Sequence, residues 1–210
     1  MTLTLTIVRH GNTFARGELP RRIGRATDLP LHASGETQAR ALGRLFADEG
    51  VAFDRVLASP LRRTQRTAEL IVAELDARPA TESYAWLAEI DHGPDENQPE
   101  DTILARIGAA ALARWNDALV APPGWTVDAP ARLAAWRSVL ATMAGHVLVV
   151  TSAGAARFAL EADPSLARAA SSLPSAKLRT GAWGRIVVAN GRASVEQWDC
   201  RPAAAFPRGR

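Results

Sequence analysis

The sequence predicts an α/β protein, a three-layer sandwich of helices around a mainly parallel sheet. Three observations carry that prediction. Strand-like and helix-like segments alternate along the chain, which favours parallel strands joined by helical crossovers. The run Val147 to Val150 is bare aliphatic, the mark of a strand buried on both faces. The length of 210 residues fits one well-buried domain better than two.

The first strand, about Leu3 to Val8, alternates Thr with aliphatics at the strand period of two. A loop rich in Arg, Gly and Pro runs from Asn12 to about Ala33. Ser34 is the expected N-cap of a helix whose apolar face is Ala39, Leu42 and Phe46. Phe53 to Ala58 reads as a short strand. Ser59 and Pro60 then read as N-cap and first residue of a helix with Ala68, Ile71, Val72 and Leu75 facing the core. Thr81 to Leu87 reads as extended, and Glu89 to Asp101 as a polar loop. A single long helix is predicted from about Glu100 to Val120, with Ile103, Ile107, Ala111, Trp115 and Leu119 four apart. Asp128 and Pro130 start another, with the stripe Leu133, Trp136, Leu140 and Met143. The aliphatic strand ends in Thr151-Ser152-Ala153-Gly154 and opens a helix through Phe158. Two late strands are expected near Arg185 to Ala189 and Ser194 to Trp198. One domain is expected over 1–201, with a loose tail over 202–210.

Composition sets limits on partners. Lys and Arg number 25 against 22 Asp and Glu, and Lys177 is the only lysine. That surplus of guanidinium suits small anions and is too slight to argue for nucleic acid. One cysteine, Cys200, excludes an internal disulfide and fits a reducing compartment. The N-terminus lacks the pattern of a signal peptide, and no apolar run reaches membrane-span length, so a cytoplasmic protein without a membrane partner is expected. His32, His92 and His146 show no metal-ligand spacing, and no metal or other cofactor is expected. The oligomeric state is left open, a homodimer among the options. Among the six tryptophans, Trp115 and Trp136 are expected in the core, and Trp183 in the core or lining a cleft.

Three segments put chemistry at strand ends: Arg9-His10-Gly11-Asn12-Thr13, Ser59-Pro60-Leu61-Arg62-Arg63-Thr64, and Thr151-Ser152-Ala153-Gly154. In an open α/β sheet all three face one edge, where ligands bind. Arg9 and Arg62 can give forked hydrogen bonds to phosphate oxygens. Two nearby positive charges would keep His10 neutral and nucleophilic. Gly11 is expected to leave room for phosphate beside the ring. Asn12, Ser152 and Ala153 are candidate phosphate or substrate contacts. Arg21, Arg22 and Arg25 read first as a solvated basic loop, and alternatively as reaching the distal part of the substrate.

These residues resemble the histidine phosphatase superfamily, which includes cofactor-dependent phosphoglycerate mutases. Arg9-His10-Gly11-Asn12-Thr13 is similar to its RHG-x-T signature. Asp28-Leu29-Pro30-Leu31 with Gly35 is similar to D-x-P-L-x-x-x-G, and the Ser59 segment to S-P-L-x-R-T-x-x-T-A. Leu87-Ala88-Glu89-Ile90-Asp91-His92-Gly93 is similar to L-x-E-i-d-f-G. The resemblance implies a phosphohistidine at His10, with Arg9 and Arg62 binding phosphoryl oxygens. It implies that Glu89 protonates the leaving alkoxide and then activates water, through a pKa raised by burial. Asp91, Asp95 and Glu96 crowd the same loop as alternative acids. In the family a second histidine usually follows the late strand; here Ser152 stands in its place. The implied activity is a metal-independent phosphatase on a small phosphate monoester, weakened by Ser152. The alternatives are a catalytically impaired relative that binds a phosphorylated ligand or partner, and a mutase-type phosphotransferase. His92 is the other imidazole that could lean into the site.

Overall fold

A computed structural model describes residues 2–202. The strands are β1 (Leu3–Arg9), β2 (Arg21–Arg22), β3 (Arg55–Ala58), β4 (Thr81–Ser83), β5 (Gln98–Pro99), β6 (Gly145–Thr151), β7 (Trp183–Ala189) and β8 (Arg192–Cys200). The helices are α1 (Ala33–Asp48), α2 (Arg62–Val72), α3 (Glu100–Ile107), α4 (Ala109–Ala118), α5 (Ala129–Thr142), α6 (Ala153–Glu161) and α7 (Pro164–Ala170). Single 3₁₀ turns lie at Ala85–Leu87 and Gly93–Asp95.

Six strands form one sheet in the order β4-β3-β6-β1-β7-β8. β4, β3, β6 and β1 are mutually parallel; β7 runs antiparallel to β1, and β8 to β7. Both faces are covered, as the aliphatic run in β6 requires. Leu3, Leu5, Ile7, Val147 and Val149 pack with Trp115, Trp136, Phe158 and Leu166 on one side. Val8, Leu148 and Val150 pack with Leu42, Phe46, Ala68 and Ile71 on the other. The pleat divides neighbouring residues of one strand between two cores. The predicted three-layer α/β architecture is the observed one.

Several local expectations are corrected. The N-cap of α1 is His32, whose Nδ1 accepts the Ser34 N–H at 3.2 Å; Ser34 lies inside the helix. α2 begins at Arg62 with Leu61 as N-cap, so Ser59 does not cap it. Ser59 Oγ instead accepts the Leu61 N–H at 3.3 Å. The predicted long helix is two, α3 and α4, broken where Gly108 takes φ +78°. Glycine takes that conformation without the Cβ penalty that other residues meet. On α5 the fully buried residues are Arg132, Trp136 and Val139, with Leu133, Leu140 and Met143 half-buried beside the core. The polar loop after Glu89 holds β5, which pairs with β2, and its end at Glu100 is already α3. α7, started by Asp163 and Pro164, has no counterpart in the prediction. Trp183 lies in the core, edge-on to Phe46 at 5.6 Å, and lines no cleft. Of the expected tail, residues 203–210 lie outside the described part.

Candidate active site

A cavity of about 980 Å³ opens where β1 and β6 end, and Arg9, His10, Asn12, Glu89, His92 and Ala153 are among the residues lining it. His10 directly follows β1, and its backbone N–H donates to Thr151 O of β6 at 3.0 Å. It is 2% exposed. His10 Nδ1 lies 2.8 Å from the Gly11 carbonyl oxygen. A carbonyl only accepts, so Nδ1 carries the proton and Nε2 keeps its lone pair. Burial holds the imidazole well below its usual pKa. The positive charges of Arg63 and Arg9 push the same way, and the Gly11 carbonyl pulls weakly against them. His10 is thus a neutral ring with one basic nitrogen.

Gly11 has a different purpose from the one expected. A Cβ there would sit 2.3 Å from Gly35 O, and a Cβ on Gly35 would sit 2.2 Å from Asn12 O. The two glycines let the loop after β1 and the start of α1 touch backbone to backbone. Asn12 is tied down in the same contact. Its N–H donates to Gln38 Oε1 at 2.9 Å, and its Oδ1 accepts from the Thr180 hydroxyl.

Arg62 and Arg63 are placed differently. The Arg62 side chain is exposed, and neither arginine is among the residues lining the cavity; Arg63 is the one whose charge acts on His10. Arg63 is fully buried, and its guanidinium donates to Thr27 O at 2.8 Å and Gly24 O at 2.9 Å. The sequence held the signal: Arg63, Thr67 and Ile71 are four apart on the buried face of α2, whereas Arg62, Arg66 and Glu69 share the outer face. The motif S-P-L-x-R-T also aligns its arginine with Arg63.

Glu89 follows the Ala85–Leu87 turn and is 7% exposed. Its Oε1 accepts the Ile90 N–H at 2.9 Å and its Oε2 the Gly154 N–H at 3.1 Å, on the first turn of α6. A Cβ on Gly154 would lie 2.3 Å from Glu89 Oε1, so only glycine lets the carboxylate rest there. Burial works to raise this carboxyl. His92, the two backbone N–H groups and Arg63 outweigh it, and the net direction is down. The expected rise in pKa is therefore not found in the free protein.

Four buried or partly buried guanidiniums surround Glu89, and each is held by backbone carbonyls; of the four only Arg63 also has a carboxylate in ion-pair range among the described residues, Asp28 at 4.0 Å. Arg9 donates to Leu178 O, Arg63 to Gly24 O and Thr27 O, Arg132 to Ala88 O and Trp86 O, and Arg157 to Trp115 O and Asn116 O. Glu89 acts electrostatically on all four. Carbonyl oxygens satisfy the N–H groups without cancelling the charge, so the positive potential persists for an anion.

Ser152 is fully buried at the N-cap position of α6. Among the described residues its hydroxyl has no hydrogen-bond partner, and it does not line the cavity. The neighbouring Ala153 does line it. His92, given little weight from sequence, is 5% exposed, lines the cavity, and meets Trp125 edge-on at 4.4 Å. Burial lowers its pKa, against the pull of Glu89. Asp95 is engaged by Arg106 and Trp125 Nε1 and does not line the cavity. Glu96 is committed to the Gly24 N–H and the Thr27 hydroxyl. Arg21 and Arg22 do line the cavity, and Arg25 does not. Among the described residues no cluster of three His, Cys, Asp or Glu could hold a metal ion, and no helix is long and apolar enough to cross a membrane.

Comparison with known proteins places this site in context. The chain is 36% identical over 121 residues to a 2,3-bisphosphoglycerate-dependent phosphoglycerate mutase of Latilactobacillus sakei, covering 57% of this chain and 50% of that one. It is 39% identical over 93 residues to the uncharacterised phosphatase PhoE of Bacillus subtilis, covering 44% and 45%. The chain spans about half the length of these curated relatives. The mycobacterial glucosyl-3-phosphoglycerate phosphatase has the same fold, with a TM-score of 0.74 at 23% identity over 95% of this chain and all of that one. The profile of the histidine phosphatase superfamily (branch 1) matches residues 5–201. The match runs from β1 to the end of β8 and takes in every segment of the cavity described above, and this chain belongs to that superfamily.

Proposed function

We propose that the protein is a phosphatase acting on a small phosphate monoester through a phosphohistidine at His10. One observation carries the reading: a buried histidine, neutral and with Nδ1 spent on the Gly11 carbonyl, at a strand end beside Arg9 and Arg63. Nε2 attacks phosphorus, the P–O ester bond breaks, and the leaving oxygen takes a proton. Water then attacks phosphorus, the P–N bond breaks, and inorganic phosphate leaves as Nε2 recovers its lone pair.

Glu89 supplies and recovers the proton. In the free protein it is a carboxylate. An incoming phosphate dianion is a like charge close by, which raises the carboxyl's pKa and lets it enter the complex protonated. Substrate binding thus arms the acid. Arg9 and Arg63 offset the phosphoryl charge.

The test is rapid-quench labelling with 4-nitrophenyl phosphate. Acid-labile phosphate on His10, absent in His10→Ala, supports the reading; label kept in that variant ends it. The buried Ser152 hydroxyl, off the cavity wall, favours a second reading, a weak or inactive relative that binds phosphorylated ligands. Phosphate binding with no label on His10 would select it.

A further inference from the structure

The cavity holds more positive charge than one phosphate can use. Among the described residues, seven arginine or lysine side chains and three glutamates line it. A phosphate dianion would neutralise half of that surplus of four. Some of the remainder is already paired: Arg22 with Glu100 at 2.6 Å, and Arg21 with Glu18 at 3.6 Å. Among the described residues Arg157 and Lys177 form no ion pair with a carboxylate.

Arg157 projects from α6 and is 4% exposed. Its guanidinium is fixed to the carbonyls that end α4, over the Trp115 ring at 5.4 Å, and its buried Nε has no partner. Lys177 comes from the segment between α7 and β7. Among the described residues its ammonium meets no hydrogen-bond acceptor; burial lowers its pKa, the positive charges of Arg157, Arg22 and Arg9 push the same way, and Glu100 pulls against them. It is the one lysine in a chain whose other 24 Lys and Arg residues are arginine. An arginine would spread its charge into a planar fork; a lysine places a compact charge on a flexible stem. Two cations from different elements, unpaired by carboxylates, line the same cavity as His10.

We propose that Lys177 and Arg157 form a second anion subsite, and that the ester taken at His10 carries another acidic group, a carboxylate or a second phosphate. This rests on the phosphatase reading for its link to turnover, but the subsite itself is a binding property. The first phosphate belongs to Arg9, Arg63 and His10; the distal anion is met by Lys177 and by Arg157, whose own hydrogen bonds go to carbonyls and not to a carboxylate.

Calorimetric titration of the full chain tests it with three probes: inorganic phosphate, phosphoglycolate for a distal carboxylate, and propane-1,3-diol bisphosphate for a distal phosphate. At least one two-anion probe should bind about tenfold or more tighter than phosphate, and which one does so identifies the distal group. Lys177→Glu, at an exposed position that tolerates the change, should erase that advantage and leave phosphate binding far less altered. Lys177→Arg should retain most of it. Equal binding of all three probes, absence of binding by both two-anion probes, or an equal loss for every probe in Lys177→Glu overturns the proposal. Labelling of His10 is read separately, so an inactive protein with an intact subsite is distinguished from an active one without it.

Discussion

Asp28 Oδ1 accepts the backbone N–H of Arg62 at 2.8 Å and so caps α2 from 34 residues away. The same carboxylate lies 4.0 Å from Arg63. One exposed aspartate therefore starts the helix and orients its buried arginine. Asp28→Ala should cost about 1 kcal/mol in urea unfolding, the usual worth of a helix cap. Turnover of 4-nitrophenyl phosphate should fall as well, because the Arg63 end of α2 loosens. Asp28→Asn should recover most of the stability.

Arg62 and Arg63 differ by one position and by almost everything else. Arg62→Ala should change kcat/KM by less than about twofold, since its side chain is exposed and its charge is not among those acting on His10. Arg63→Ala should lower it by about a hundredfold or more, the scale of losing one donor to developing charge. Arg63→Lys should not rescue it, because an ammonium cannot reach Gly24 O and Thr27 O and the phosphate together. Equal losses at both positions would contradict the assignment.

Ser152 offers a stability reading and a kinetic one. Its buried hydroxyl is unpartnered, so Ser152→Ala should be neutral or stabilising, by up to about 1 kcal/mol. If phosphate binding turns that hydroxyl inward, kcat should nonetheless fall. Ser152→His must fit a larger ring into a fully buried position, and a lower Tm is expected, by overpacking of about 1–3 kcal/mol. A stable Ser152→His variant with raised kcat would show that the site has room for a donor it lacks.

Acid should weaken the fold in two stages. His10, His92 and His146 all have pKa values lowered by burial first. Below about pH 6.5 the unfolded chain binds protons that the folded one resists, so stability is full above that value and falls as pH drops. Each such histidine contributes a slope of up to about 1.4 kcal/mol per pH unit. Below about pH 4.5 the depressed carboxyls Glu89 and Asp95 add to the loss. Denaturant titrations at pH 7.5, 6 and 5 measure the first stage, and His146→Gln should reduce its slope by one histidine's share. A flat profile from pH 7.5 to 5 would contradict it.

The sheet and its helices were legible because the patterns behind them are local. Strand alternation in Leu3 to Val8 and the repeat of Leu42 and Phe46 need only neighbouring residues to read. What was missed depends on contacts across the chain. His32 is a local exception: its ring caps α1 from two residues away, where Ser34 is the commoner capping residue type. The cap of α2 comes from Asp28, which no local window contains. Glu89 was found by resemblance, but its lowered pKa depends on α6 presenting the Gly154 N–H. Arg63 was within reach: its place on the buried face of α2 follows from the helical repeat, and reading Arg62 in its stead was a slip of one position.

β1 is paired along both edges, with β6 on one side and β7 on the other. Its amides should be among the slowest to exchange with deuterium, opening only when the whole sheet does. His10 hangs from the end of that strand, on backbone expected to be among the slowest to open. Glu89 and His92 sit on a connection of short turns, where local opening requires far less. On the proposed mechanism the attacking nitrogen is thus carried by a slow part of the protein, and the proton donor by a part that can adjust within a single turnover.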